Sequence, residues 1–282
     1  MYKESAYTGY LKDLRVRVLR IGITVGLVTT LGMTFSISIF DFNGYKIPLL
    51  YPGPLNNLAT QIIHIMKENL LPKNVNLIQV TPQGSFLTQF YVAVLIGITL
   101  AAPITIRELT AFVGPALNQH EKAIIKKITT PAIGLFAIGC LFSYFFVIPN
   151  TLNFLYKYGE SIGVSTFFNV SEFIPFVVQF LIAFGFSYQF PLLMWAITLF
   201  KIVEPTFWRN NLRYMIIIFV IFGAVITPDG SGITMWFVAG PMLLLYVLGM
   251  LFIEWKRKVR ENPKINKFEG ALSTKTHPQQ PS

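Results

Sequence analysis

The run Ala101–Lys127, AAPITIRELTAFVGPALNQHEKAIIKK, joins two long apolar segments through a short polar elbow. Gly114-Pro115 break one helix. Asn118 can cap the next, with Glu121 three residues on, the spacing of a capping box. Two carboxylates, Glu108 and Glu121, flank the elbow among Arg107, Lys122, Lys126 and Lys127. On either side, Phe86 to Ile106 and Ile128 to Ile148 contain no Asp, Glu, Lys or Arg. A charge-free apolar run of about 20 residues has the length that crosses a hydrocarbon core. The elbow therefore reads as the turn between two membrane spans, with the upstream helix continuing to Phe112 and the downstream span stopping at Pro149.

The same rule extends outward. The first span runs over Ile21 to Phe40, the fourth over Phe173 to Phe200, the fifth over Leu212 to Ile226 and the sixth over Ile233 to Ile253. The reading is an all-α integral membrane protein, a six-transmembrane-helix bundle. Composition agrees: 53% of the chain is hydrophobic and 13% charged, against about a quarter charged in a soluble domain. The N-terminal region is polar and the first apolar run too long for a cleavable signal peptide. Three divisions follow: an amphipathic lead-in at 1–20, the transmembrane domain at 21–253, and a basic tail at 254–282 that reads as disordered. Leu11, Leu14, Val18 and Ile21 recur at helical spacing in the lead-in. Gly22 and Gly26 form a GxxxG match on the first span, read as a small-residue packing face.

Residues 41–85 form a long loop. Within it Leu55, Leu58, Ile62, Ile63, Met66 and Leu70 mark the apolar face of an amphipathic helix, with Asn57, Gln61, His64 and Glu68 on the polar face. This helix is expected at the membrane surface or against the bundle. Asn76 to Thr81 reads as extended, and 150–172 as a second loop. The fifth span has only 15 residues, about 22 Å of helix at 1.5 Å per residue. That is short for a core of about 30 Å, so a thinned bilayer is expected there.

Charge fixes orientation. Of the 23 Lys and Arg, 19 fall in the N-terminus, the elbow, the fourth-to-fifth connection with Arg213 at its end, and the tail. Under the positive-inside rule these face the cytoplasm, so both termini do. The net charge of +10 lies in the gaps between apolar runs and does not point to nucleic acid.

No G-x-x-x-x-G-K, HExxH or Cys/His cluster is present, so no catalytic residue, metal or cofactor is assigned. No charged residue falls in mid-span, which weighs against the alternative of a small-molecule secondary transporter. His64 reads as solvated and Cys140 as a small apolar residue. Gln189 is the strongest intramembrane polar group. Its amide suits either a bond within the bundle or a docking point for a partner's helix. Asp13, Glu108 and Glu121 could bind guanidinium groups bidentately. Equally, local partners satisfy them: Arg17 for Asp13 at i,i+4, Arg107 or Lys122 for Glu108, and the helix cap for Glu121.

Four stretches carry a family resemblance. They are Leu11-Lys-Asp-Leu-Arg-Val-Arg17; the elbow from Ala102-Pro103 through Ala111-Phe112-Val-Gly-Pro115 to His120-Glu121-Lys122; Phe142–Pro149; and Phe184–Pro191 with Ile226-Thr-Pro-Asp229. In order and spacing they resemble the TatC family, the multi-spanning receptor of the twin-arginine protein translocase, over about residues 8–253. The resemblance implies a non-enzymatic subunit of the cytoplasmic membrane. It implies binding of signal peptides with paired arginines, recruitment of single-span TatA/TatB-type subunits, homo-oligomeric assembly, and export of folded proteins driven by the proton gradient. On it, Asp13 and Glu121 hold the arginine pair and Glu108 assists. Phe112 and Pro115 shape the elbow, and Arg15 and Arg17 fix the lead-in against headgroups. Tyr188, Gln189, Pro228 and Asp229 dock a partner helix. Two departures stand out: Gln189 where many members carry Glu, and Tyr246-Val247 where members often have Tyr-Glu, which leaves the sixth span without its polar contact.

Overall fold

The computed structural model describes residues 2–42, 45–71, 75–113, 119–163, 167–199, 202–227 and 232–261. Among them, five helices are long and apolar enough to cross a membrane: Lys12–Thr34, Gly84–Glu108, Thr129–Ser161, Val170–Leu199 and Ile233–Lys258. A shorter apolar helix, Leu212–Ile226, is the sixth. The chain is thus an all-α multi-pass membrane protein. It divides into two compact units, Met1–Ser187 and Tyr188–Ser282.

In the first unit, α1 (Tyr2–Thr34) carries the lead-in and the first span as one helix. It packs along α3 (Gly84–Val113). The close approach depends on Gly97: a Cβ there would sit 2.5 Å from Thr29 Oγ1 and 2.9 Å from the Val25 carbonyl. The GxxxG pair is not used this way. A Cβ at Gly22 or Gly26 would meet nothing within 4 Å, so the expected packing face has no partner among the described residues.

The first span ends at Thr34, not Phe40. Phe35–Phe42 (β1) and Tyr45–Pro52 (β2) form an antiparallel hairpin in register Phe35↔Pro52 to Phe42↔Tyr45. Phe35, Ile37 and Ile39 alternate with Ser36 and Ser38, a period of two that a strand accommodates and a helix scatters.

The amphipathic helix forms as α2 (Leu58–Leu70), with Ala59, Met66 and Leu70 buried. It lies against α3. His64 is exposed, as expected. Asn57 leaves the polar face assigned to it: it is the N-cap, 1% exposed. Its Oδ1 accepts from Thr60 N at 2.9 Å and its Nδ2 donates to Gln89 Oε1 at 3.2 Å. Leu55 lies before the helix and is exposed. The extended 76–81 stretch contributes β3 (Leu77–Ile78), which pairs in parallel with β4 (Phe168–Asn169).

The helix after the elbow, α4 (Gln119–Phe142), does not stop at Pro149. It passes through a π-turn, Ser143–Val147, into α5 (Ile148–Ser161), replacing most of the expected loop. Ile148 N–H donates five residues back, to Ser143 O. Pro149 therefore sits in the first turn of a new helical segment, where its missing N–H is least costly. Asn150 Nδ2 covers the Phe146 carbonyl at 2.6 Å. The following α6 (Val170–Ser187) is the most buried element of this unit, packed by α3 and α4.

The second unit begins with α7 (Phe190–Leu199), then α8 (Pro205–Asn210), α9 (Leu212–Ile226) and α10 (Ile233–Glu261). Between α6 and α7 the fourth apolar run breaks at Tyr188-Gln189, immediately before Phe190-Pro191. A proline disfavours the helical region for the residue ahead of it and crowds the turn before. Here α10 packs on both α9 and α7.

Candidate functional site

The charges expected at the elbow meet where α1 lies against α3. Glu108 is 6% exposed. Burying a carboxylate alone is costly, so it must find cations. Two come from the other helix, and Arg107 adds a further Coulombic attraction. Arg20 Nη1 donates to Glu108 Oε1 at 2.6 Å, and Arg17 Nη1 donates to Glu108 Oε2 at 3.1 Å. Arg17 also reaches along its own helix, its Nε donating to Asp13 Oδ2 at 2.9 Å. One guanidinium thus bridges two carboxylates on different helices.

Helical spacing explains the arrangement. Asp13, Arg17 and Arg20 follow at i, i+4 and i+7, which places them on one stripe of α1. Glu108 stands one turn before the end of α3, at the depth where the stripe passes. The planar fork of arginine allows two directions of bonding at once, which a lysine ammonium on a flexible stem does not fix. Exposure grades outward: Glu108 is buried, Arg17 has 19% of its side chain accessible, Asp13 42% and Arg20 58%. Arg15 falls off the stripe and is exposed.

Asp13, Arg17 and Glu108 are therefore brought together. The backbones of residues 112 and 121 lie in α3 and α4, but the side chains of Phe112 and Glu121 fall outside the described residues, as do Pro115 and the Asn118 cap. Arg20 is the member that sequence reasoning missed. Its i+3 spacing from Arg17 was visible, but nothing local tied it to Glu108.

At the other proposed site, Tyr188 and Gln189 are half-buried at the α6–α7 break, and Gln189 O accepts from Leu193 N at 2.9 Å. Pro228 and Asp229 lie outside the described residues. The sixth span does carry a polar contact, contrary to expectation. Tyr246 is fully buried and its hydroxyl donates to the Trp208 carbonyl at 2.6 Å. Trp208 Nε1 in turn donates to Thr198 Oγ1 at 2.8 Å. The tyrosine ties α10 to α8 beside a second polar contact between the same helices, Arg209 Nη1 to Glu254 Oε1 at 3.8 Å. Among the described residues no three His, Cys, Asp or Glu side chains are grouped as a metal site requires.

The family model described as Sec-independent protein translocase protein (TatC) matches residues 9–241. The chain belongs to the TatC family. Among curated TatC proteins, that of Cenarchaeum symbiosum is 48% identical over 255 residues, covering 90% of this chain and 97% of the relative. The TatC protein of Aquifex aeolicus is 30% identical, over 72% of this chain and 87% of its own. Among solved structures, a crystal structure of the twin-arginine translocase receptor TatC superposes with a TM-score of 0.72, at 24% identity, over 87% of this chain and 98% of that one. A second, of the TatC receptor in DDM, gives 0.69 at 26% identity, over 86% and 98%. The TatC fold is thus shared over nearly the whole of those structures. TatC membership places the chain in a family of protein translocase components, a transport role.

Proposed function

We propose that this chain is the signal-peptide receptor and core subunit of a twin-arginine translocase. It exports folded proteins across the cytoplasmic membrane using the proton gradient, with both termini on the cytoplasmic side. The observation that carries this reading is the shared guanidinium of Arg17, held between Asp13 and Glu108 beside the elbow. This end of the protein already pairs guanidinium groups with carboxylates, Arg17 through two of its nitrogens and Arg20 through one. A peptide with adjacent arginines presents the same chemistry, and charge-assisted bonds of this kind contribute about 1.5–3 kcal/mol each.

In this reading Asp13 and Glu121 receive the peptide's arginines, and Phe112 and Pro115 shape the elbow between them. Arg15, exposed on α1, meets anionic headgroups. Tyr188 and Gln189, with Pro228 and Asp229, dock the helix of a single-span TatA/TatB-type partner. Gln189 does so by neutral hydrogen bonding, without an ion pair. The complex holds several copies of the chain. The charged segments at 1–20 and 254–282 flank a transmembrane domain at 21–253.

The test is photocrosslinking of the detergent-solubilised chain to a peptide with two arginines and to the same peptide with two lysines. The arginine peptide crosslinks and the lysine peptide is strongly reduced, because lysine lacks the planar fork. Equal yields would refute the receptor reading.

A further inference from the structure

Glu108 stands beside the proposed peptide site, yet its geometry does not suit a peptide ligand. Both carboxylate oxygens are occupied, Oε1 by Arg20 and Oε2 by Arg17, and the residue is 6% exposed. An incoming guanidinium would have to displace one of the chain's own. Asp13 is different. It is bonded through Oδ2 to Arg17, its side chain is 42% accessible, and among the described residues its Oδ1 takes no hydrogen bond.

We propose that Glu108 is a positioning residue. Acting through Arg17, it fixes the Asp13 carboxylate so that Oδ1 is ready for an arginine of the incoming peptide. This rests on the reading of Asp13 as a peptide ligand.

The physical argument runs through Arg17. An exposed i,i+4 pair on one helix is weak, because both side chains keep many rotamers and water competes for them. Asp13 and Arg17 alone would hold each other loosely. Glu108 changes this by anchoring the far nitrogen of the guanidinium to α3 at a buried point. The planar group then has two fixed ends, Nη1 on Glu108 and Nε on Asp13. Its rotamer is set, and Asp13 follows it. The loss of freedom has already occurred before a peptide arrives, which is how preorganisation increases affinity.

Charge supports the same assignment. Paired only with Asp13, Arg17 would cancel the attraction of that carboxylate for a cation. Sharing Arg17 with a buried acid leaves part of the Asp13 charge uncompensated. Arg20 supplies the second cation that a buried Glu108 needs, so that Arg17 is not drawn wholly inward.

The experiment measures affinity of the full-length chain in detergent for fluorescent peptides bearing two arginines or two lysines. Wild type, Glu108→Gln, Asp13→Asn and the double variant are compared, with thermal unfolding followed in parallel. Glu108→Gln loses about tenfold in affinity for the arginine peptide, equivalent to about 1.4 kcal/mol. Its affinity for the lysine peptide stays unchanged. In the Asp13→Asn background the same substitution has no further effect, because there is no carboxylate left to position. Additive losses would mean that Glu108 touches the peptide itself and would overturn the proposal. So would an unchanged arginine affinity, or an equal loss for both peptides.

Arg17→Lys provides a second route should Glu108→Gln fail to fold. It keeps the charge but removes the fork, and it too loses arginine preference only while Asp13 is present. If its loss persists in Asp13→Asn, the relay is wrong. The wild-type arm separates the two levels of inference. No preference for arginine there removes the receptor reading and this relay with it, whereas preference without coupling removes only the relay.

Discussion

Tyr246→Phe isolates the buried polar contact between α10 and α8 and leaves the Arg209–Glu254 ion pair in place. The substitution keeps the ring, which packs about the same centre as Phe190 and Phe219, each 6.0 Å away between centroids, and Trp208 at 6.3 Å. Only the hydroxyl and its bond to the Trp208 carbonyl disappear. A single neutral hydrogen bond contributes about 0.5–1.5 kcal/mol net. Within a bilayer such bonds average about 0.6 kcal/mol and reach about 1.7. The expected loss is therefore about 1 kcal/mol. Tyr246→Ala removes the fully buried ring as well, and large-to-Ala changes in cores cost about 3–5 kcal/mol. The assay is equilibrium unfolding of the purified chain by SDS titration in mixed micelles, with helicity as readout. The Phe variant lies close to wild type and the Ala variant far below. A Phe variant as unstable as Ala would mean that the hydroxyl, not the ring, organises this unit, and the packing account would fail. No change at all in the Phe variant would show that water replaces the bond, and the site would not be dry.

Gly97→Val drives a branched side chain into Thr29 Oγ1 and the Val25 carbonyl. It loses about 1–3 kcal/mol by overpacking, whereas Gly22→Ala, with open space around it, is neutral or slightly stabilising; both are read by the same SDS titration. Asn57→Ala removes the cap of α2 and costs about 1 kcal/mol. Asn57→Asp keeps the acceptor for Thr60 N but loses the donor to Gln89, and hydrogen exchange at the first turn of α2 separates the two.

Much of this fold is legible in charge-free length. Gly84–Val113 and Leu212–Ile226 declare themselves because their charges, Arg107 and Glu108 in one and Arg213 in the other, sit near an end and leave a long charge-free apolar stretch. The hairpin was hidden by the same criterion. Phe35-Ser-Ile-Ser-Ile-Phe is apolar enough to extend a span, and only its alternation, with Asn43-Gly44 following, distinguishes a strand. The Pro149 stop failed because a proline ends a helix only if the turn before it keeps α spacing, and here it widens. At the site, the i,i+4 bond of Arg17 to Asp13 is written in the local spacing. Its bond to Glu108 is not, since it depends on how α1 lies on α3, and that follows from Gly97, eleven residues and about three turns before Glu108. The Tyr246–Trp208 contact is not legible for a related reason: it joins positions 38 residues apart on different helices, and no local spacing encodes it.

The widened turn at Ser143–Val147 has a consequence for how this chain tolerates change. Each residue advances a helix by about 100°. One additional residue kept at α pitch would therefore rotate everything downstream by about that angle. In the widened turn each residue rotates the chain by less, so the extra residue is taken up locally and the faces beyond it keep their direction. Deleting a single residue from 143–147 would let the turn relax to ordinary pitch and leave Thr151 and Leu152 buried on the same side. The stretch works as slack between two lengths of one rod, so that a change of length there is absorbed in the width of a turn and not passed on as a change of facing.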